Sequence, residues 1–187
     1  GSTIKRSDVY FAFPAINGQL KANDFLRTNY ISAKSNLSKD SSLKFSEVKI
    51  VDNYSPVKKI RDEVKELLDT ANVTLPRGAR LEISHHYGLE NFYKYGITMI
   101  SIINHSYCKK LIIMLPGQKH PAQFHQIKEE SFFILYGTVN LTLNTKVHIL
   151  KPGDLKTIRK KEVHEFFSKN GAVIEELSTE HVKSDSF

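Results

Sequence analysis

Two stretches of this chain concentrate residue types that bind transition metals. The first, QFHQIKEE, contains His125 and Glu130, and the second, KKEVHEF, contains His164. Imidazole and carboxylate groups bind divalent transition metals, and two histidines with one carboxylate are typical of Fe(II) and Mn(II) sites. If these residues meet, the expected chemistry is binding of Zn, Mn, Fe or Ni with one position open for water or a substrate.

A pattern of strands from Leu81 to Leu177 must position these residues. Val139, Leu141 and Leu143 alternate with polar residues, which is typical of a strand with one face on a core. Several short strands separated by Gly, Pro and Asn turns favour a jelly-roll sandwich or barrel. We therefore predict a mainly β fold with a barrel over residues 81–187, whose strands point alternate side chains inward.

The stretch from Gly117 to Gly137 resembles the first motif of the cupin superfamily, G-x5-H-x-H-x3-4-E-x6-G. Its spacing is matched throughout, with His125 and Glu130 at the second histidine and the glutamate. One identity differs, because Gln123 stands where the first histidine is usual. The resemblance predicts that His125 and the residue two before it share one face of a strand.

The stretch that begins at Gly153 resembles the second cupin motif, G-x5-P-x-G-x2-H-x3-N. The motif's glycine and histidine fall on Gly153 and His164. Arg159, Lys161 and Ser168 replace its proline, glycine and asparagine, so the spacing is kept while three identities are lost.

Together the two motifs imply a metal site formed by Gln123, His125, Glu130 and His164 inside one cupin barrel. Glutamine binds a metal through its carbonyl oxygen, more weakly than an imidazole does, and His120 compensates only if its loop folds inward. Some cupins are metal-free binding modules, so a site without metal stays an alternative.

The adjacent residues His85 and His86 are a second candidate for chemistry. Neighbouring residues of a strand face opposite sides, so at most one of them enters the barrel. That histidine is a candidate catalytic general base or substrate ligand, because an imidazole titrates near pH ~6.5. The alternative is a histidine on an outer face.

The first part of the chain is predicted to be a small β appendage over residues 1–54. Two strands are expected on either side of a polar turn at residues 38–42, with Leu43, Phe45, Val48 and Ile50 as core candidates. The strings VYFAFPAINGQLKANDF and YISAKSNLSKDSSLKFSEVKI resemble the SAF (antifreeze-like) region of sialic acid (N-acetylneuraminate) synthase-like proteins. That family's condensation chemistry lies in a TIM barrel that this chain lacks.

One helix is predicted within residues 55–80, which also contain a linker. Ser55 is the expected N-cap and Pro56 the first helical residue. The apolar residues Val57, Ile60, Val64, Leu67, Leu68 and Ala71 recur at helical spacing. We expect this stripe to pack on the barrel, with a partner-binding face as the alternative.

These resemblances imply a metal-binding cupin that binds or isomerises a sugar or sugar phosphate in carbohydrate biosynthesis. The string PGQKHPAQFHQIKEESFFILYG also resembles cupin sugar isomerases of the lyxose-isomerase type, which predicts a metal-dependent aldose–ketose isomerase. The alternatives are a non-catalytic carbohydrate-binding or regulatory module and an Fe(II)-dependent dioxygenase. A helix-turn-helix regulator is disfavoured, because one helix is too little for that domain.

Composition and charge limit the kinds of partner and the cellular location that we expect. The net charge is +7, but Arg159, Lys160 and Lys161 form the one dense basic run, and we interpret it as a solvated loop rather than a nucleic-acid site. No apolar run reaches the ~20 residues of a membrane span. One cysteine, Cys108, excludes an internal disulfide and favours a cytoplasmic location. The opening Gly-Ser resembles a tag scar, and cupins commonly form homodimers, which we expect here.

Overall fold

The computed structural model describes residues 1–26, 29–85, 87–180 and 182–187, with Lys183 described by its backbone alone. The chain divides into two compact units, residues 1–60 and 61–187. Strands predominate, as predicted. The strands and helices in chain order are β1 (Asn29–Ala33), β2 (Val48–Asp52), α1 (Tyr54–Thr70), β3 (Leu81–His85), α2 (Phe92–Tyr95), β4 (Gly96–Asn104), β5 (Tyr107–Met114), β6 (Lys119–Gln123), β7 (Glu130–Gly137), β8 (Val139–Leu143), β9 (Lys146–Leu150), β10 (Leu155–Ile158), β11 (His164–Phe167) and β12 (Ala172–Thr179).

The first unit contains one antiparallel strand pair. Strands β1 and β2 pair with Ile31 opposite Ile50. The small core consists of Leu20, Ile31 and Val48, with Leu43 and Ile50 packed beside it. The expected core residue Phe45 is instead 48% exposed, because it lies in the 3-10 turn that precedes β2 rather than in a strand.

Helix α1 begins at Tyr54, before the predicted N-cap Ser55. The Asp52 carboxylate caps it by accepting bonds from the backbone N–H of Tyr54 (2.8 Å) and the hydroxyl of Ser55 (2.6 Å). Val64 is buried, as expected, but Val57 is exposed. No helix in the described part of the chain is long and apolar enough to span a membrane.

Two antiparallel sheets form the second unit, as the predicted jelly-roll requires. The larger sheet has the order β10-β7-β12-β5-β4-β3 and the smaller one β6-β11-β8-β9. Their inner faces share a core cluster of buried residues: Ile97, Ile112, Met114, Phe132, Ile134, Val139, Leu141, Leu143, Leu150, Ile158, Phe166, Ala172 and Ile174. This closed apolar core supports the walls of the site.

Strand register places charged residues on the same inner face as that core. On β12, Ile174 lies opposite Ile112 of β5, and two residues further Glu176 lies opposite Lys110. On β7, Phe132 lies opposite Glu176. Because side chains alternate with period two, Lys110 and Glu176 point to the same side as the core residues beside them. The inner face is therefore apolar at one end and charged at the other.

Candidate metal centre

Three side chains from two strands and one loop converge inside the barrel. His164 begins β11, Glu130 begins β7, and His125 lies in the loop after β6. Each offers one ligand atom, and these atoms lie within 4.8 Å of one another. His164 Nε2 is 3.0 Å from Glu130 Oε1, and His125 Nε2 is 3.8 Å from Glu130 Oε2. All three residues are buried.

Backbone carbonyls orient both imidazoles. His125 Nδ1 lies 2.6 Å from the carbonyl of Asp185, and His164 Nδ1 lies 3.1 Å from the carbonyl of Glu162. A carbonyl only accepts, so each Nδ1 must carry the proton that it donates. In a neutral ring Nε2 then carries a lone pair, which points into the space between the three side chains. Metal-binding histidines have this arrangement.

Unsatisfied atoms at the centre of the cluster fit a bound cation. Among the described residues, His125 Nε2 and Glu130 Oε1 are buried without a hydrogen-bond partner. A neutral His164 would also place a lone pair only 3.0 Å from Glu130 Oε1, and two acceptors at that distance need a proton or a cation between them. Buried polar atoms are rarely left unpaired, so the residues present fit a divalent metal.

Two charged residues that the motif analysis did not identify complete the wall of the site. Lys128 is 5% exposed, and its Nζ contacts Glu130 Oε2 directly and Glu176 Oε1 at 3.0 Å. Lys128 thus occupies one oxygen of Glu130 and leaves Oε1 for a metal. Lysine and glutamate are mostly surface residues, so composition gives no signal for this pair. The sequence signal that could have identified Lys128 was its position two residues before Glu130.

Local charges set the protonation states of the cluster. Burial and the nearby charge of Lys128 lower the pKa of His125 below its ordinary 6.5, which favours the neutral, metal-binding form. Burial alone would raise the pKa of Glu130, but the close approach of His164 and the charge of Lys128 outweigh it and lower this pKa to about 2. Burial likewise opposes the charged form of Lys128, but Glu130 and Glu176 raise its pKa. The carboxylate is therefore ionised across the neutral pH range.

Gln123 and His120 lie close to the three ligands. Gln123 ends β6, and its side-chain amide is 3.3 Å from His164 Nε2. His120 is buried, and its ring stacks on Phe166 with the ring centres 4.7 Å apart. Both side chains line the same cavity as His125 and Glu130.

The predicted strand that carries both Gln123 and His125 ends two residues early. Beyond Gln123 the backbone of Phe124 exchanges two hydrogen bonds with Phe187 (3.1 and 3.2 Å), and their rings stack. The Asp185 carboxylate accepts the backbone N–H groups of residues 126–128 at 2.9–3.2 Å. The loop that carries His125 is therefore held by the C-terminal segment and not by a sheet.

The second predicted cluster does not join the cavity in the described residues. His85 ends β3 as an exposed residue, whereas Glu82 and Ser84 of the same strand line the cavity. Strand alternation explains this result, because residues 82 and 84 share a face and residue 85 points away from it. His86 lies outside the described residues. The cavity measures about 280 Å³, near the lower end of the range for small-molecule sites.

Comparison with known proteins agrees with this architecture. Residues 110–174 match the family model described as "Cupin domain". The structure resembles L-ribose isomerase from Cellulomonas parahominis with L-psicose (TM-score 0.61, 14% identity, 72% of this chain and 91% of that chain). It also resembles L-ribose isomerase from Acinetobacter sp. DL28 in complex with L-ribose (TM-score 0.58, 13% identity, 68% and 81%). At these identities the likeness shows the fold alone. No curated protein matches the sequence.

Proposed function

We propose that this cupin domain binds a divalent transition metal and catalyses aldose–ketose isomerisation of a sugar. The observation that carries the proposal is the convergence of His125, Glu130 and His164, with both Nε2 atoms turned toward the Glu130 carboxylate by carbonyl bonds at Nδ1. The L-psicose and L-ribose present in the similar isomerase structures support the substrate class.

A metal held by these three residues would supply Lewis-acid polarisation of a sugar's carbonyl and hydroxyl oxygens. The remaining chemistry is proton transfer between adjacent carbons, with a matching proton transfer between their oxygens, and it needs no oxidant or reductant. Among the described residues, Glu176 is the one buried carboxylate of the cavity wall that is not a proposed ligand, which makes it our candidate for the carbon acid–base step. Lys128 holds the Glu176 carboxylate at 3.0 Å.

A non-catalytic carbohydrate-binding module is the second candidate. Two observations favour it, since Lys128 already neutralises Glu130 and Gln123 stands at the position of a histidine in the motif. The sialic acid synthase-like context, the homodimer and the cytoplasmic location stay predictions from the sequence. So does an Fe(II)-dependent dioxygenase, which is separated from the isomerase by oxygen uptake.

Metal analysis followed by an isomerase assay tests the proposal. We expect purified protein to retain a divalent metal, or to gain thermal stability with Mn, Fe, Ni or Zn, and His125→Ala and His164→Ala to abolish this. The exposed turn residue His105 provides the matched control, His105→Ala, which should behave as wild type. If the protein retains no metal and shows no thermal shift with any of these metals, the carbohydrate-binding module is the function that remains.

A gain-of-ligand variant tests the role of position 123. Gln123→His places an imidazole, a stronger ligand than an amide, next to His164. We expect tighter metal binding in a competition titration against a fluorescent chelator. Unchanged or weaker binding would show that position 123 does not face the metal.

A further inference from the structure

Lys110 is a buried cation of the cavity that the proposed chemistry does not use. It lies on the inner face of β5, is 5% exposed, and lines the same cavity as His125 and Glu130. Within the described residues it forms no hydrogen bond or ion pair. Its cross-strand neighbour Glu176 is the expected partner, but the Glu176 carboxylate is directed to Lys128 (3.0 Å) and Ser178 (3.2 Å).

The Lys110 side chain is almost fully buried, but its Nζ is not among the buried unsatisfied atoms of the described residues, so the ammonium group faces the open space of the cavity. Removing a charge from water without a partner costs several kcal/mol, and buried lysines are normally paired. Glu82 also lines the cavity, but it is exposed on the edge strand β3 and forms no ion pair with Lys110 among the described residues. The missing partner is therefore expected to come from a ligand.

The charge balance of the cavity favours an anionic ligand. The buried lysines Lys110 and Lys128 are offset by three buried carboxylates, those of Glu130, Glu176 and Asp185. A divalent cation at the three proposed ligands would leave the interior positive. Met99 and Ile112 also line the cavity and provide apolar surface for the carbon skeleton of a small ligand.

We infer that the substrate is an acidic sugar, and that Lys110 binds its carboxylate or phosphate group while its carbonyl and hydroxyl oxygens face the His125–Glu130–His164 cluster. This inference rests on the proposed function for the position of the reacting atoms. It does not depend on turnover, because an anion can bind Lys110 whether or not the sugar is isomerised. Lys110 is thus a specificity-determining residue.

Matched pairs of neutral and charged sugars test the inference with metal-loaded protein. D-glucose is compared with D-glucuronate, and D-ribose with D-ribose 5-phosphate, by calorimetry and ligand-observed NMR. A charge-assisted hydrogen bond predicts about 10- to 100-fold tighter binding of the charged member. The glucuronate pair and the ribose phosphate pair distinguish a carboxylate from a phosphate ligand.

Neighbouring lysines provide the matched variants. Lys110→Met should remove the preference for the charged sugar, whereas Lys109→Met, on the outer face and paired with Glu175 at 3.1 Å, should retain it. Lys110→Met should not lower the melting temperature, because Lys110 has no hydrogen bond or ion pair to lose within the described residues. A purely structural lysine would instead lower the melting temperature when replaced.

Three results would overturn the inference: equal binding of neutral and charged sugars, a preference that persists in Lys110→Met, or no binding of either charged probe. A charged sugar that binds through Lys110 without being isomerised would refute the isomerase proposal and leave this inference standing. Isomerisation of a neutral sugar, with no preference for the charged sugar, would support the isomerase proposal and refute this inference.

Discussion

Replacing Asp185 with alanine removes the carboxylate that holds the loop carrying His125. That carboxylate accepts the backbone N–H of Gln126 (3.0 Å), Ile127 (3.1 Å) and Lys128 (2.9 Å). The carbonyl of Asp185 also lies 2.6 Å from His125 Nδ1 and orients its ring. The variant is therefore expected to affect both stability and metal binding.

The expected loss of stability follows from the hydrogen bonds to the Asp185 carboxylate. Hydrogen bonds to a charged group contribute about 1.5–3 kcal/mol each, but Gln126 and Ile127 are exposed, so water can replace part of what they lose. We expect the free energy of unfolding to fall by about 2–4 kcal/mol. Loss of a group that supports a ligand should weaken metal binding by about 10- to 100-fold.

Acid should remove the contribution of Asp185. Burial opposes ionisation, but the N–H groups of residues 126–128 and the nearby His125 outweigh it and lower the pKa of Asp185 below its ordinary 3.8. The unfolded state therefore binds the proton first as the pH falls. The stabilisation is fully present above about pH 4 and is lost as the pH falls through the lowered pKa of the folded protein. The difference between wild type and Asp185→Ala should shrink accordingly.

Denaturant unfolding and a metal competition titration measure the two effects. Asp154→Ala is the control, because this carboxylate also accepts a backbone N–H (Lys151, 2.7 Å) but in an exposed turn. It should cost about 1 kcal/mol and leave metal affinity unchanged. Wild-type metal affinity in Asp185→Ala would refute the positioning role, even if the variant were less stable.

Two further substitutions test the cavity and the barrel. Lys128→Met should destabilise the metal-free protein by about 3–5 kcal/mol, because Glu130 and Glu176 lose their shared cation. A metal should then raise the melting temperature by more than in wild type, and a smaller rise would contradict the competition between Lys128 and the metal for Glu130. Gly137→Ala places a Cβ 2.1 Å from the Gly171 carbonyl oxygen at a φ of +79°, whereas Gly153→Ala, at a φ of +93°, meets open space. Unfolding in denaturant should show that Gly137→Ala costs at least about 2 kcal/mol more than Gly153→Ala, and equal losses would refute this account of the first motif's last glycine.

Local pattern was sufficient for much of the barrel. Alternation at Val139, Leu141 and Leu143 predicted strand β8, and all three residues are buried in the core. The same period explains why Ser84 lines the cavity and His85 does not. In Ala172–Thr179 the alternation is lost at the start of the strand, because Ala172, Val173 and Ile174 are all buried and so both faces are covered there.

The sequence by itself determined which side chains are candidates for a metal. The spacing of Gly117, His125, Glu130 and His164 resembles the two cupin motifs, and this resemblance predicted a barrel with these ligand types. That prediction is possible because the spacing of the two motifs is a local property, which is found by counting residues along the chain.

Only the tertiary structure decided how the site is charged and held. Lys128 meets Glu176 across 48 residues, and Asp185 meets Gln126 across 59. Lys110 is left without a protein partner in the described residues although Glu176 lies opposite it. Such contacts depend on which strands become neighbours and on which carboxylate lies within ion-pair distance of each lysine. Neither of these follows from local periodicity. The sequence therefore predicted the types of metal ligand. That Lys110 has no counter-charge among the described residues could be found only from the folded cavity.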